Sequence, residues 1–283
     1  MMIALSVLTV CSTPERQSFG TVSKDKMSSK TVVLIHGMFL TPVSWQNWKL
    51  ALEKKGYKVI IPAWPYHETS VLEQRKNHPD GRLGALTLES VINVYKVEIG
   101  KLKEKPILIG HSMGGLIVQK LMEEDLGAAG IAIHSAPTKG ILSFKYSFLK
   151  SNWAVISPFA NKEEAYLPTL DEFSYAFLNE LPIEKRKETY DMYAVPESRL
   201  VGNAPTKEIG KVDFTKKKSP LLFLSGKKDH IIPYTLNDSN FQKYEVNHSQ
   251  TDFIVLEKQS HWVLLEPSWE DTFREAMDWL EKL

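Results

Sequence analysis

From Thr31 onward the chain alternates short, almost wholly apolar runs with longer amphipathic stretches, and this alternation restricts the fold more than any other feature. Residues 31–36, 57–61, 106–109, 131–134, 221–225 and 253–257 read as strands. Strands this short and this apolar are buried on both faces, which is the condition of parallel strands covered by helices on either side. Residues 42–55, 86–105, 114–125, 233–246 and 268–283 read as those helices. In the last, Trp269, Phe273, Met277 and Leu280 recur at helical spacing and form one apolar stripe. The rhythm breaks once. Between Pro137 and Lys218 no strand is legible, and residues 139–211 hold 11 of the 29 aromatics in a Pro-punctuated stretch of short helices and loops. The expected architecture is α/β: a doubly wound, mostly parallel central sheet built from residues 31–138 and 212–283. A helical insertion at 139–211 and an N-terminal extension over 1–30 complete it.

Composition narrows the function. The 35 Lys and Arg balance 34 Asp and Glu, so the chain lacks the basic excess with which nucleic-acid binders neutralise phosphates. A single Cys excludes an intramolecular disulfide, a Cys-based zinc site and an iron–sulfur cluster. No apolar run is long enough to span a bilayer as a helix. Residues 1–10, MMIALSVLTV, followed by Cys11, look like a short export signal or a lipoprotein cleavage context. However, no Lys or Arg precedes them, and Val10 is large where cleavage needs a small residue. The chain is therefore read as cytoplasmic, with export or anchoring through the first eleven residues as the alternative.

The chemistry concentrates at residues 105–118, KPILIGHSMGGLIV. Gly110-x-Ser112-x-Gly114 follows a buried strand and opens a helix, the context of a nucleophile elbow. A Ser on so sharp a turn takes a strained backbone that flanking glycines permit. The turn lifts its hydroxyl above the sheet edge at a helix N-terminus, where amide N–H groups face developing negative charge. A hydroxyl is a weak nucleophile and needs a base, itself oriented by an acid. Both are expected later in the chain, beyond strand ends. Asp229 follows the strand at 221–225, and His261 lies between the strand at 253–257 and the final helix.

Other candidates fit less well. His111, inside the elbow, should point away from Ser112, and His36 belongs to a structural His36-Gly37 turn. His134 ends a strand where an acid could stand, but an imidazole cannot do an acid's work. His67, His78, His230 and His248 are read as solvated. Asp238, Asp252 and Glu257 are the rival acids. The oxyanion donors are expected to be the Met113 amide and, from the loop after the first strand, that of Met38, with Phe39 as the second choice. Phe39 and Trp262 are the candidate substrate contacts. No metal or cofactor is implied.

Together, His36-Gly37, the run from Gly110 to Gly115, Gly226-x-x-Asp229-x-x-x-Pro233 and His261 resemble the α/β-hydrolase fold superfamily from Thr31 to Leu283. The Trp45/Trp48 pair, residues 62–65 and residues 135–140 are similar to a group of bacterial members without naming a substrate. The resemblance implies a serine hydrolase of esterase or lipase type, with residues 139–211 as its lid. Ser112 separates the chain from haloalkane dehalogenases and soluble epoxide hydrolases, which carry Asp there, and from dienelactone hydrolases that use Cys. Residues 64–67, Trp-Pro-Tyr-His, replace a Pro-Gly-His-Gly turn and are expected to make the pocket floor bulkier. The expected substrate is a small, uncharged, apolar acyl compound. Carbon–carbon hydrolysis, hydroxynitrile cleavage or perhydrolysis on the same residues is the alternative chemistry, and a slowly turning-over ligand-binding protein is the alternative class.

Overall fold

A computed structural model describes residues 14–21 and 28–283. The export signal weighed for residues 1–11 lies outside the described residues. The strands are β1 (Glu15–Phe19), β2 (Thr31–Ile35), β3 (Lys58–Ile60), β4 (Ile107–His111), β5 (Ala129–Ile133), β6 (Ala165–Tyr166), β7 (Glu197–Ser198), β8 (Leu221–Gly226) and β9 (Thr251–Leu256). Seven of them form one sheet in the order β1-β9-β8-β5-β4-β2-β3, and all its pairs are parallel except β1 on β9.

The two-sided burial foreseen for the strands has a simple basis. Along β2, Val32 and Leu34 enter one core while Val33 and Ile35 enter the other, because successive side chains point to opposite faces. One core is closed by α1 (Gln46–Lys54) and α11 (Trp269–Leu280), through Trp48, Phe273, Met277 and Leu280. The other is covered by α4 (Leu88–Gly100), α5 (Met113–Glu123) and α10 (Tyr234–Gln242). Two short helices, α2 (Val71–Lys76) and α3 (Gly81–Gly84), occupy the stretch before α4.

Between β5 and β8 run the helices α6 (Tyr146–Ile156), α7 (Leu170–Ala176), α8 (Ile183–Tyr193) and α9 (Arg199–Asn203). The two-residue strands β6 and β7 pair there, a feature too short to have a periodicity in sequence. The polar stretch before Thr31 also contains more order than its composition suggests. β1 lies along β9, with Arg16 2.6 Å from Glu275, Glu15 3.1 Å from Lys227 and Phe19 stacked on Phe241. Its pattern is concealed because four of its five residues are exposed.

Candidate active site

Ser112 sits between β4 and α5 with φ +58° and ψ −120°, a combination that L-residues adopt only under strain. The surroundings enforce it. The Ser112 amide donates to the Ile133 carbonyl at 2.9 Å, and its own carbonyl accepts from Ala136 at 2.9 Å. A Cβ at Gly114 would overlap the carbonyl oxygen of Ile35, so α5 can start this close to β2 only with glycine there. Gly37 serves the loop on the other side: a Cβ on it would stand 2.8 Å from Ser112 Cβ. That contact puts residues 37–39 beside the nucleophile candidate, and Met38, Phe39, Ser112 and Met113 line one cavity.

Asp229 and His261 meet in the core, His261 Nδ1 donating to Asp229 Oδ2 at 2.7 Å. The carboxylate is held from both sides, since Oδ1 accepts the Ile231 and Ile232 amides, each at 2.8 Å. Burial opposes its ionisation, but the field and hydrogen bond of His261 and the close imidazole of His134 outweigh that and hold it well below the ordinary carboxylate range. With Nδ1 bound to the acid, the lone pair of His261 is on Nε2, which is buried and has no hydrogen-bond partner. No hydrogen bond joins it to Ser112 Oγ.

His134 differs from its expected part. Its Nδ1 lies 2.8 Å from Asp229 Oδ2, so the acid faces two imidazoles. Nothing in the sequence marks this, because β5 and β8 are neighbours only in the sheet order. His111 turns away from Ser112 and its Nε2 donates to the His261 carbonyl at 3.0 Å. Burial first, and then the nearby imidazoles of His261 and His134, keep it neutral. Nitrogens of His111, His134 and His261 lie within 4.8 Å of one another. One nitrogen of His261 bonds Asp229 and one of His111 bonds a carbonyl, while His134 lies against the same carboxylate with neither ring nitrogen in a well-aligned hydrogen bond.

Three expectations need correction. His67 is not solvated: it is buried 3.3 Å from the equally buried Glu197, and although burial opposes its charge, that carboxylate raises its pKa. Trp64 is not in the pocket floor. It stacks on His36 at 4.6 Å, and its amide donates to His36 Nε2. Trp262 is buried against Tyr193 and Phe173 and lines a different cavity, together with Tyr193, Leu265 and Trp269. Of the remaining histidines, His230 is half-buried and its ring bonds the Tyr175 carbonyl, His78 is half-buried, and His248 is exposed.

The rival acids are engaged elsewhere. Asp252 accepts from the Trp279 indole, Glu257 pairs with Lys227 at 2.7 Å, and Asp238 bonds Gln242. Sequence reasoning also missed Glu266. Its Oε2 accepts from the Ser260 hydroxyl at 3.0 Å, one residue before His261.

The cavity above Ser112 is about 120 Å³. Ile141, Phe148, Val155, Ile156, Phe177 and Ile232 contribute to its walls, and none of its lining residues has a charged side chain.

The model of the Alpha/beta hydrolase family matches residues 32–275, and the chain belongs to that family. Among solved structures it is similar to a monoacylglycerol lipase of Paleococcus ferrophilus (22% identity, 96% of this chain and 99% of that one, TM-score 0.64). It is likewise similar to a pyrethroid hydrolase of Sphingobium faniae JZ-2 (17%, 90% and 98%, TM-score 0.67). A third is polyneuridine aldehyde esterase (17%, 89% and 98%, TM-score 0.63). No curated protein sequence matches the chain. Among the described residues no helix is long and apolar enough to cross a membrane.

Proposed function

We propose that the protein is a cofactor-independent serine hydrolase that cleaves carboxylic esters of apolar acyl groups through an acyl-enzyme on Ser112. The observation that carries this reading is the strained Ser112 backbone at the N-terminus of α5, opening into an apolar cavity. A non-glycine residue in that conformation costs about 1–3 kcal/mol, which a merely structural turn has no reason to retain.

In the proposed cycle, His261 Nε2 takes the Ser112 proton as Oγ attacks the ester carbonyl. The negative charge passes to the carbonyl oxygen, where the Met113 and Met38 amides receive it. Asp229 fixes the His261 tautomer and stabilises the imidazolium. His261 then gives its proton to the departing alcohol; a water deprotonated at the same Nε2 attacks the acyl carbonyl, and as the acid leaves the proton returns from Nε2 to Ser112 Oγ. Residues 139–211 act as the lid, and Phe39 is a wall of the acyl site. The uncharged lining supports an uncharged substrate, because a charged group would lose its hydration there without compensation. The family neighbours named as lipase, pyrethroid hydrolase and esterase accord with ester chemistry.

Ser112→Ala tests the reading against a panel of p-nitrophenyl esters and by fluorophosphonate labelling. Turnover should fall to background and labelling should vanish; unchanged turnover or labelling would refute it. The proposed site of action is the cytoplasm, and a native N-terminus at or near Cys11 would move it outside.

A further inference from the structure

Between Asp125 and Glu163 the chain carries Lys139, Lys145, Lys150 and Lys162 but no acidic residue. The same stretch exposes large apolar side chains that a water-facing surface does not need: Phe144 is 85% and Phe159 91% exposed, and Leu142, Tyr146 and Trp153 are exposed with them. Helix α6 divides them by face. Tyr146, Lys150 and Trp153, at i, i+4 and i+7, point outward, while Phe148, Asn152, Val155 and Ile156 line the cavity above Ser112. Leu142 belongs to both sets, being exposed and part of the cavity lining, so the cavity opens where the patch lies.

We propose that residues 139–162 dock on an anionic lipid–water interface, from which an apolar substrate enters the cavity beside Ser112. The proposal rests on the ester-hydrolase reading for its substrate but not for the docking itself. Charge selects the occupant. Protein–protein interface cores deplete Lys, whereas here lysines alternate with aromatics, the composition of surfaces that lie in lipid headgroups. Lys139 pairs with Glu208, but among the described residues Lys145 and Lys150 have no carboxylate at ion-pair distance and face tyrosine rings instead. Their ammonium groups lie over the rings of Tyr234 and Tyr175, which leaves the charge intact. Phe144 and Phe159 would insert below the headgroups, with Tyr146 and Trp153 at headgroup level.

The test is flotation of the full chain with phosphatidylcholine vesicles, with and without phosphatidylglycerol. The wild type should float with the anionic vesicles, and less as salt is raised. Phe144→Ser with Phe159→Ser should lower the partition by at least about tenfold. Lys145→Gln and Lys150→Gln should each lower it about fivefold on anionic vesicles only. Hydrolysis of a water-soluble short-chain ester by these variants should match the wild type, showing an intact fold.

Absence of flotation by the wild type, or flotation of the variants at wild-type level, would overturn the proposal. A concentration-dependent dimer abolished by the double Phe change, without vesicle binding, would overturn it in favour of a second copy. Ser112→Ala is floated in parallel: vesicle binding by a wild type inactive on every ester would refute the hydrolase reading and leave the docking face standing.

Discussion

Glu266 offers the sharpest test of the energetics around His261. It is 4% exposed, one carboxylate oxygen has no partner, and the other accepts from the Ser260 amide and hydroxyl. Burial raises its pKa from 4.5 to about 7; the Ser260 hydrogen bonds resist, and the charges of Glu180 and Asp229 add to the rise. The folded state holds this proton more tightly than the unfolded state, so stability falls as pH rises from the unfolded pKa through the folded one. Once both states are ionised, the difference amounts to about 3 kcal/mol against folding. Glu266→Gln keeps an acceptor for Ser260 and removes the titration. Urea unfolding of both proteins from about pH 5 to about pH 8 should show the wild type losing about 2.5 kcal/mol relative to the variant. The elevated His67 contributes stability that also declines as pH rises, but it is present in both proteins and cancels. A stability difference that stays constant with pH would refute the reasoning.

Three further outcomes are expected. His134→Asn, which withdraws one of the two imidazoles on Asp229, should lower kcat about ten- to a hundredfold with KM little changed, as befits a positioning residue; unchanged kcat would mean that His261 and the Ile231 and Ile232 amides suffice. Gly114→Ala should destabilise the fold by about 3 kcal/mol through overlap with the Ile35 carbonyl, read as a drop in Tm; a wild-type Tm would show that α5 can shift. Val155→Phe narrows the cavity and should reduce the ratio of long- to short-chain ester turnover about tenfold. An unaltered ratio would place the acyl chain elsewhere.

The sheet was legible because parallel strands buried on both faces must be apolar throughout, so β4, β5 and β8 announced themselves within a few residues of their ends. Ser112 was legible for a local reason, since strand, glycines and helix start adjoin in sequence. What escaped depends on distance along the chain. His134 and Asp229 lie 95 positions apart and meet only because β5 neighbours β8. His67 finds Glu197 through the small helices and the β6/β7 pair, elements too short for any periodicity. Trp262 follows His261 directly, yet that adjacency said nothing of direction: the side chain packs on Tyr193 and is not among the residues lining the cavity at Ser112.

The strand before Thr31 has a consequence for how the molecule survives at high concentration. A sheet with bare flanks is a template for its own polymerisation, since an unpaired backbone edge recruits another copy. Here one flank is β3, only three residues long, and the other is β1, whose exposed Glu15, Arg16, Gln17 and Ser18 present charge and polarity where β9 would otherwise present its backbone. Residues 15–19 thus serve as a protective selvedge. A chain trimmed to its catalytic body at Thr31 would keep the residues around Ser112 and become prone to fibrous self-association along β9.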